Sequence, residues 1–141
     1  MRLRRRSEVP RVERILVATD RSETAERAVA FAGVMAERYD AELVLLRVLL
    51  SDEGVLAEAA RELAEHAREI AGERARSSVV VAKDPAEAIV EAAQRERVDV
   101  VVVGSVGMSG RKEFLLHNVP NRVSHNAPCT VVIVQTRKDS E

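Results

Sequence analysis

Three glycines and two serines follow a run of valines, in a segment whose composition suits phosphate binding. The segment reads Gly-Ser-Val-Gly-Met-Ser-Gly over residues 104–110 and is followed by Arg111. Glycines let the backbone approach a ligand closely, and successive amides in such a loop form a concavity that binds anions. A helix that begins after the loop would add its positive N-terminal end. The segment predicts a nucleotide phosphate site, and an ordinary connection between a strand and a helix is the alternative.

A lone carboxylate follows the first apolar run of the chain. Asp20 lies in Ala-Thr-Asp-Arg-Ser, residues 18–22, where the run ends. It could cap the next helix, or it could accept a hydrogen bond from a ligand. In a sheet of strand order 3-2-1-4-5, strands one and four are neighbours whose connections leave in opposite directions, and ligands bind in the crevice between them. That topology would bring Asp20 and Gly104 together, which favours a ligand-binding role.

Other phosphate motifs and catalytic arrangements fit the sequence poorly. A Walker loop needs a glycine where Ser109 stands, and a dinucleotide fingerprint would follow the first strand. Ser105 and Ser109 have no neighbouring base in the sequence. His66 and His125 have no cysteine or carboxylate at metal-ligand spacing. We therefore predict no catalytic residue and no metal site, and we expect His66, in a charged run, to face solvent.

Five short apolar runs must position these residues. Four of the runs are nearly continuous valine, isoleucine and leucine, as in strands that are buried on both faces. The runs are Arg14–Thr19, Glu42–Leu49, Ser78–Ala82, Val98–Gly104 and Thr130–Val134. Helical patterns separate them, with apolar residues three and four apart. The alternation predicts an α/β fold with a doubly wound five-stranded parallel sheet, order 3-2-1-4-5, and helices on both faces.

Local signals mark several helix ends. Asp84 can accept hydrogen bonds from the first turn of the third helix, and Pro85 suits that turn because its missing N–H costs nothing there. Gly72 is typical of a helix stop. The last helix is predicted over residues 118–124, with Pro120 in its first turn.

Composition limits the classes of partner. Hydrophobic residues make up 46% of the 141 residues and aromatic residues only 2%, so the core is aliphatic and offers no stacking platform for single-stranded nucleic acid. Residues 1–11 carry five arginines and one glutamate, and we expect a basic, disordered tail there. The remaining predicted units are a domain over 12–135 and a C-terminal tail over 136–141. We expect no nucleic-acid or membrane partner, and the single Cys129 indicates a reducing, cytoplasmic location.

The stretch from Val12 to Val134 resembles the universal stress protein family. The resemblance lies in Ile-Leu-Val-Ala-Thr-Asp at 15–20, the glycine loop at 104–110, Asn-Val-Pro-Asn at 118–121 and His-Asn-Ala-Pro-Cys at 125–129. It implies a Rossmann-like fold of the adenine nucleotide α-hydrolase type. It also implies a regulatory protein of the stress response that binds ATP, with Mg²⁺ as a companion ion, and that is not an enzyme beyond slow ATP hydrolysis.

The resemblance also assigns residues. Nucleotide-binding members carry Gly, two residues, Gly, nine residues, then Gly and a small hydroxyl residue. Gly104 and Gly107 match the first two positions, whereas His117 and Asn118 stand at the last two. Asp20 would face the adenine, and the backbone of Val48 would lie near the base. The implied nucleotide-binding residues are Ala18, Asp20, Val48, Gly104, Gly107, Ser109, Gly110, His117, Asn118 and Val119.

Two further functional interpretations stay open, together with a mode of assembly. His117 in place of the motif glycine favours a family member that has lost nucleotide binding and acts as a protein-interaction scaffold. A related adenylating enzyme would need a glycine-rich loop after the first strand, where this chain has Thr-Asp-Arg-Ser-Glu. The last run, Thr130–Val134, would be an uncharged edge strand, and the resemblance implies that it pairs with its copy in a homodimer.

Overall fold

A five-stranded parallel sheet with helices on both faces organises the chain, as the sequence predicts. The computed structural model describes residues 11–105 and 119–136, and the strand order is β3-β2-β1-β4-β5. The strands are β1 (Arg14–Ala18), β2 (Glu42–Leu49), β3 (Ala75–Val81), β4 (Val100–Gly104) and β5 (Thr130–Val134). The described helices are α1 (Glu23–Tyr39), α2 (Leu56–Ala71), α3 (Pro85–Glu96) and α4 (Val119–Asn126), with a 3₁₀ turn at Gly72–Arg74.

Two aliphatic cores cover the two faces of the sheet. Alternate residues of the strands point to opposite faces, so that Leu16 belongs to one core and Val17 to the other. One core packs against α3 and α4, and the other packs against α1 and α2. Both helix pairs bury alanines against the sheet, which lets the helix backbones lie close to it.

The predicted helix ends have the expected chemistry. Asp84 caps α3, since its Oδ1 accepts from the backbone N–H of Glu87 at 3.3 Å, and Pro85 stands in the first turn. α2 ends at Ala71, and Gly72 is its C-cap with φ of 60°. α4 runs two residues past the predicted end, and Pro120 lies in its first turn as predicted. The predicted start of α4, Asn118, lies outside the described residues.

Two strands differ from their predicted bounds at the start. β4 begins at Val100 rather than at Val98, whose N–H still donates to the Ala93 carbonyl at the end of α3. β3 begins at Ala75 rather than at Ser78, and it pairs with β2 from Ala75↔Leu43 onward. The added residues Ala75, Arg76 and Ser77 are not an apolar run, because β3 is an edge strand and is only partly covered. Backbone pairing, rather than hydrophobic periodicity, fixes its first half.

Candidate functional site

The topological switch point lies between β1 and β4. The two strands pair in parallel, with Ile15 opposite Val100 and Val17 opposite Val102. α1 follows β1 onto one face of the sheet, whereas α4, the next described helix after β4, packs on the other face. Asp20 lies two residues past the end of β1 and Gly104 is the last residue of β4, so both stand at the carboxyl edge where this fold binds ligands.

The connection from β1 to α1 is a tight polar turn. The N–H of Thr19 donates to the carbonyl of Leu46 at 2.9 Å and so closes the end of β1 against β2. The Arg21 N–H donates to Thr19 Oγ1 at 2.9 Å, and Arg21 has φ of 68°. The Ser22 N–H donates to Asp20 Oδ1 at 2.9 Å. Four successive residues are therefore tied to one another or to β2.

Ser22, and not Asp20, caps α1. The Ser22 hydroxyl accepts from the backbone N–H of Ala25 at 3.2 Å, which is the usual N-cap contact. Asp20 contributes one carboxylate oxygen to the turn and none to the helix. Of the two roles that the sequence leaves open for Asp20, the capping role belongs to its neighbour.

The second oxygen of Asp20 is buried and has no hydrogen-bond partner in the described part of the chain. A buried carboxylate oxygen without a donor costs free energy, more than a neutral group in the same place would, and such atoms are few in folded proteins. Among the described residues no other buried side-chain atom of the turn lacks a partner, so this oxygen is the one that can still accept from a donor such as a ligand.

Val48 offers backbone groups on the same edge. Residues of a strand direct their N–H and C=O alternately to either neighbour, and the carbonyl of Leu46 points to the β1 side. The N–H and C=O of Val48 therefore point to the β1 side as well. β1 has ended at Ala18, which lies opposite Leu46, so Val48 lies past the last paired residues of β1. These two backbone groups can recognise the edge of a flat heterocycle.

The end of β4 is closed by packing. A Cβ placed on Gly104 would lie 3.1 Å from both Cγ2 and Oγ1 of the buried Thr136. Ser105 Oγ donates to Gln135 Oε1 at 3.0 Å and accepts from the Thr136 N–H at 3.1 Å. Gly104 does not have positive φ. Its lack of a side chain serves the close approach of residue 136.

The remaining predicted site residues fall into two groups. The side chains of Ala18 and Val119 are buried in the core beneath α3 and α4, so only their backbone could meet a ligand. Five further predicted residues lie outside the described part of the chain. These are Gly107, Ser109, Gly110, His117 and Asn118.

The prediction that His66 faces solvent is wrong. Its side chain is only 13% exposed, and its Nε2 lies 2.8 Å from Oε1 of Glu26 on α1. The contact could not be predicted from the sequence, because Glu26 lies on α1 and His66 on α2, and the two residues meet only where these helices pack together. Within residues 11–105 and 119–136, no cluster of three or more His, Cys, Asp or Glu could hold a metal ion.

An ion pair anchors α4 beside the crevice. Arg122 donates two hydrogen bonds to Asp84, at 3.0 Å to Oδ1 and 2.7 Å to Oδ2. The hydrogen bond from Arg122 holds the pKa of the Asp84 carboxyl below its ordinary value. α4 begins at Val119, directly after the predicted phosphate-binding residues, so this pair fixes the helix that follows them.

A model of the universal stress protein family matches residues 11–135. Among curated proteins, a universal stress protein of Bacillus subtilis, YxiE, is 30% identical over 145 residues, which cover 86% of this chain and 98% of that protein. A universal stress protein of Methanocaldococcus jannaschii, MJ0531, is 29% identical over 142 residues, covering 89% of this chain and 84% of that protein.

Solved structures agree with this fold. The chain is similar to a universal stress protein solved in complex with cAMP, at 30% identity and a TM-score of 0.73, over 91% of this chain and all of that one. It is also similar to the protein MJ0577, at 29% identity and a TM-score of 0.74, over 93% of this chain and all of that one. Among the described helices, none combines the length and apolar character that a membrane crossing needs.

Proposed function

The chain belongs to the universal stress protein family, and from that premise we propose that it binds an adenine nucleotide, ATP or a close relative, at the carboxyl edge of β1 and β4. The observation that carries the proposal is the buried Asp20 oxygen at the switch point, to which no described residue donates a hydrogen bond. A ligand that supplies N–H or O–H donors removes the cost of that oxygen on binding.

Charge favours one direction for the nucleotide in the proposed site. A carboxylate accepts hydrogen bonds from an amine or a hydroxyl group but repels a phosphate. Asp20 therefore belongs with the adenine or the ribose, and the backbone of Val48 lies past the end of β1, where it can meet the base edge. The phosphates extend toward β4 and the glycines that follow Gly104. A relative at 30% identity was solved with cAMP, an adenine nucleotide, which supports this ligand class.

We propose a regulatory role rather than fast catalysis. The described hydrogen bond of Asp20 is to a backbone amide and not to an acid or base partner, and general acid–base hydrolysis needs a positioned pair or a metal. Nucleotide binding would then change what the protein contacts, with hydrolysis slow or absent. The single cysteine, Cys129, fits a cytoplasmic protein.

Calorimetric titration with ATP, ADP, AMP and cAMP, each with and without Mg²⁺, tests the binding proposal. Asp20→Asn should weaken binding of every ligand about 10- to 100-fold, the range for a lost hydrogen bond to a charged group. Asp99→Asn is the matched control, since Asp99 accepts from the backbone N–H groups of Glu13 and Arg14 at the opposite edge of the sheet. No binding by the parent protein would favour the interaction scaffold instead.

We also propose that the protein is a homodimer that pairs through β5. The strand is at the edge of the sheet, it has no charged residue, and Ile133 is 45% exposed. Uncharged edges of this kind are normally covered or paired. The opposite edge, β3, carries Arg76, whose guanidinium pairs with Glu96 at 2.7 Å. Charge protects that edge from pairing, whereas β5 itself has no charged side chain.

Sedimentation at micromolar concentration tests the dimer. Ile133→Lys should shift the protein to monomer, because two ammonium groups would meet across the two-fold axis. Val81→Lys on β3 is the matched control, since Val81 is 44% exposed, and it should leave the assembly unchanged. A parent protein that sediments as a monomer would refute the β5 dimer and leave the nucleotide proposal standing.

A further inference from the structure

Helices α1 and α2 approach each other closely near the crevice. A Cβ on Gly33 of α1 would lie 2.9 Å from Cγ2 of Ile70 on α2. About one turn of α2 nearer to the crevice, His66 Nε2 lies 2.8 Å from Glu26 Oε1. The two atoms are in contact, although the ring nitrogen makes no well-aligned hydrogen bond within the described part of the chain.

Glu26 extends this contact to the crevice turn. Its other oxygen, Oε2, accepts a hydrogen bond from the Arg21 guanidinium at 3.2 Å, and both side chains are about two-thirds buried. Arg21 directly follows Asp20. His66, Glu26 and Arg21 therefore form a continuous line of polar side chains from α2 to the turn, which we call the relay.

Arg21 has a backbone conformation that its side chain disfavours. Its φ of 68° lies in the left-handed region, which glycine enters freely and arginine does not. The Arg21 N–H bonds to Thr19 Oγ1, and the guanidinium is held by Glu26. These contacts oppose a flip of the peptide that would carry the Asp20 carboxylate away from its observed position.

We propose that Glu26 and His66 are positioning residues for nucleotide binding, because they hold Arg21 in the left-handed conformation that presents Asp20 to the crevice. The inference rests on the nucleotide site proposed above. Neither residue touches the ligand. They raise the fraction of molecules in which the turn is competent to bind, and apparent affinity falls in proportion to that fraction.

A matched pair of substitutions at Arg21 separates positioning from direct contact. Arg21→Ala keeps the disfavoured φ and removes the relay, so ATP affinity should fall about tenfold. Arg21→Gly removes both the relay and the strain, so affinity should stay within about twofold of the parent protein. Equal losses in the two variants would show that the guanidinium acts on the ligand directly, and would overturn the proposal.

Substitutions along the relay give the second test. Glu26→Gln should weaken ATP binding about threefold in the parent protein and should have no effect in the Arg21→Gly background. His66→Gln should have a smaller effect than Glu26→Gln, since Arg21 keeps its direct partner. Glu69→Gln is the control, because Glu69 lies 3.7 Å from the other nitrogen of His66 but is 76% exposed. An effect of Glu26→Gln that persists with glycine at position 21 would refute the relay.

Amide hydrogen exchange in the nucleotide-free protein measures the relay without any ligand. The N–H groups of Arg21 and Ser22 both donate inside the turn, so their exchange reports its opening directly. Arg21→Ala and Glu26→Gln should each accelerate exchange at the Ser22 amide, and Glu69→Gln should not. Unchanged exchange refutes the relay even if ATP binds, whereas faster exchange without ATP binding refutes only the nucleotide site.

Discussion

The ends of β1 and β4 stand side by side at one edge of the sheet, and they are built in opposite ways. At β1 the backbone enters a strained turn, Arg21 has positive φ, and one oxygen of Asp20 is buried with no donor among residues 11–105 and 119–136. β4 ends in a glycine without positive φ that packs against Thr136, and the Ser105 hydroxyl both donates and accepts a hydrogen bond. Within the described residues, the β1 end leaves a buried carboxylate oxygen without a hydrogen bond, whereas the Ser105 hydroxyl at the β4 end both donates and accepts one.

This difference indicates that the β4 end contributes to the stability of the fold and that the β1 end is built for ligand binding. A strained turn and a buried oxygen without a hydrogen bond both lower the stability of the free protein. Such features are expected where a ligand supplies the missing contact on binding. A strand end closed by packing contributes to stability directly and needs no ligand. Substitutions at the β4 end should therefore reduce the free energy of unfolding, and substitutions at the β1 end should mainly reduce affinity.

Gly104→Ala should have the largest effect on stability. The new Cβ would lie 3.1 Å from two atoms of Thr136, and overpacking of this kind costs about 1–3 kcal/mol. Denaturant unfolding measures the loss. Thr136→Ala removes both contacting atoms, so the double variant should recover part of it. A Gly104→Ala protein with the stability of the parent would show that packing against Thr136 does not stabilise the end of β4.

Ser105→Ala should have the next largest effect, about 1 kcal/mol. The hydroxyl donates to Gln135 and accepts from the Thr136 N–H, and its loss leaves that amide without this partner. Ser51→Ala is a suitable control, since the Ser51 hydroxyl donates only to Glu53 on the exposed surface. Equal losses in the two variants would contradict the special role of the β4 end.

Asp20→Asn should change stability in the opposite sense, or not at all, in the absence of ligand. An amide keeps the acceptor for the Ser22 N–H and replaces the lone charged oxygen with a neutral group, whose burial costs less. We expect a change within about 0.5 kcal/mol, on the stabilising side, by denaturant unfolding. A large loss of stability would show that Asp20 is a structural residue. It would contradict the assignment of the β1 end to ligand binding and of the β4 end to stability.

Much of this architecture could be predicted from the sequence because its signal is local and repeated. Runs of valine and leucine define the strands, and the bounds of β2 and β5 match their predicted runs. The start of β3 could not be predicted, because Arg76 and Ser77 belong to a strand only through pairing with β2. Hydrophobic periodicity does not record such pairing.

The candidate site was predictable only in outline. Asp20 was identified from its place at a strand end, but the sequence could not decide between a cap and a ligand contact, since Asp20 and Ser22 are both good capping residues. The position of His66 against Glu26 depends on how two helices pack, and the contact of Gly104 with Thr136 joins residues that are far apart in the chain. These are tertiary facts that composition and spacing do not contain.

The smallest expected effect concerns the ion pair that ties α4, on the β4 side, to α3. The pKa of Asp84 is lowered chiefly by the hydrogen bond from Arg122, so the folded state favours the ionised carboxyl. The stabilisation is therefore complete well above the ordinary pKa of 3.8 and is lost as pH falls through the lower pKa of the folded protein. Both side chains are partly exposed, so water screens the pair and its contribution is small.

Arg122→Gln should lower the free energy of unfolding slightly at pH 6, and the difference from the parent protein should shrink below pH 4. Arg61→Gln on the exposed face of α2 is the control, with no pH-dependent difference. If the difference between Arg122→Gln and the parent protein were the same at pH 6 and at pH 3, Asp84 would not be its source, and α4 would be held by its packing against α3 alone.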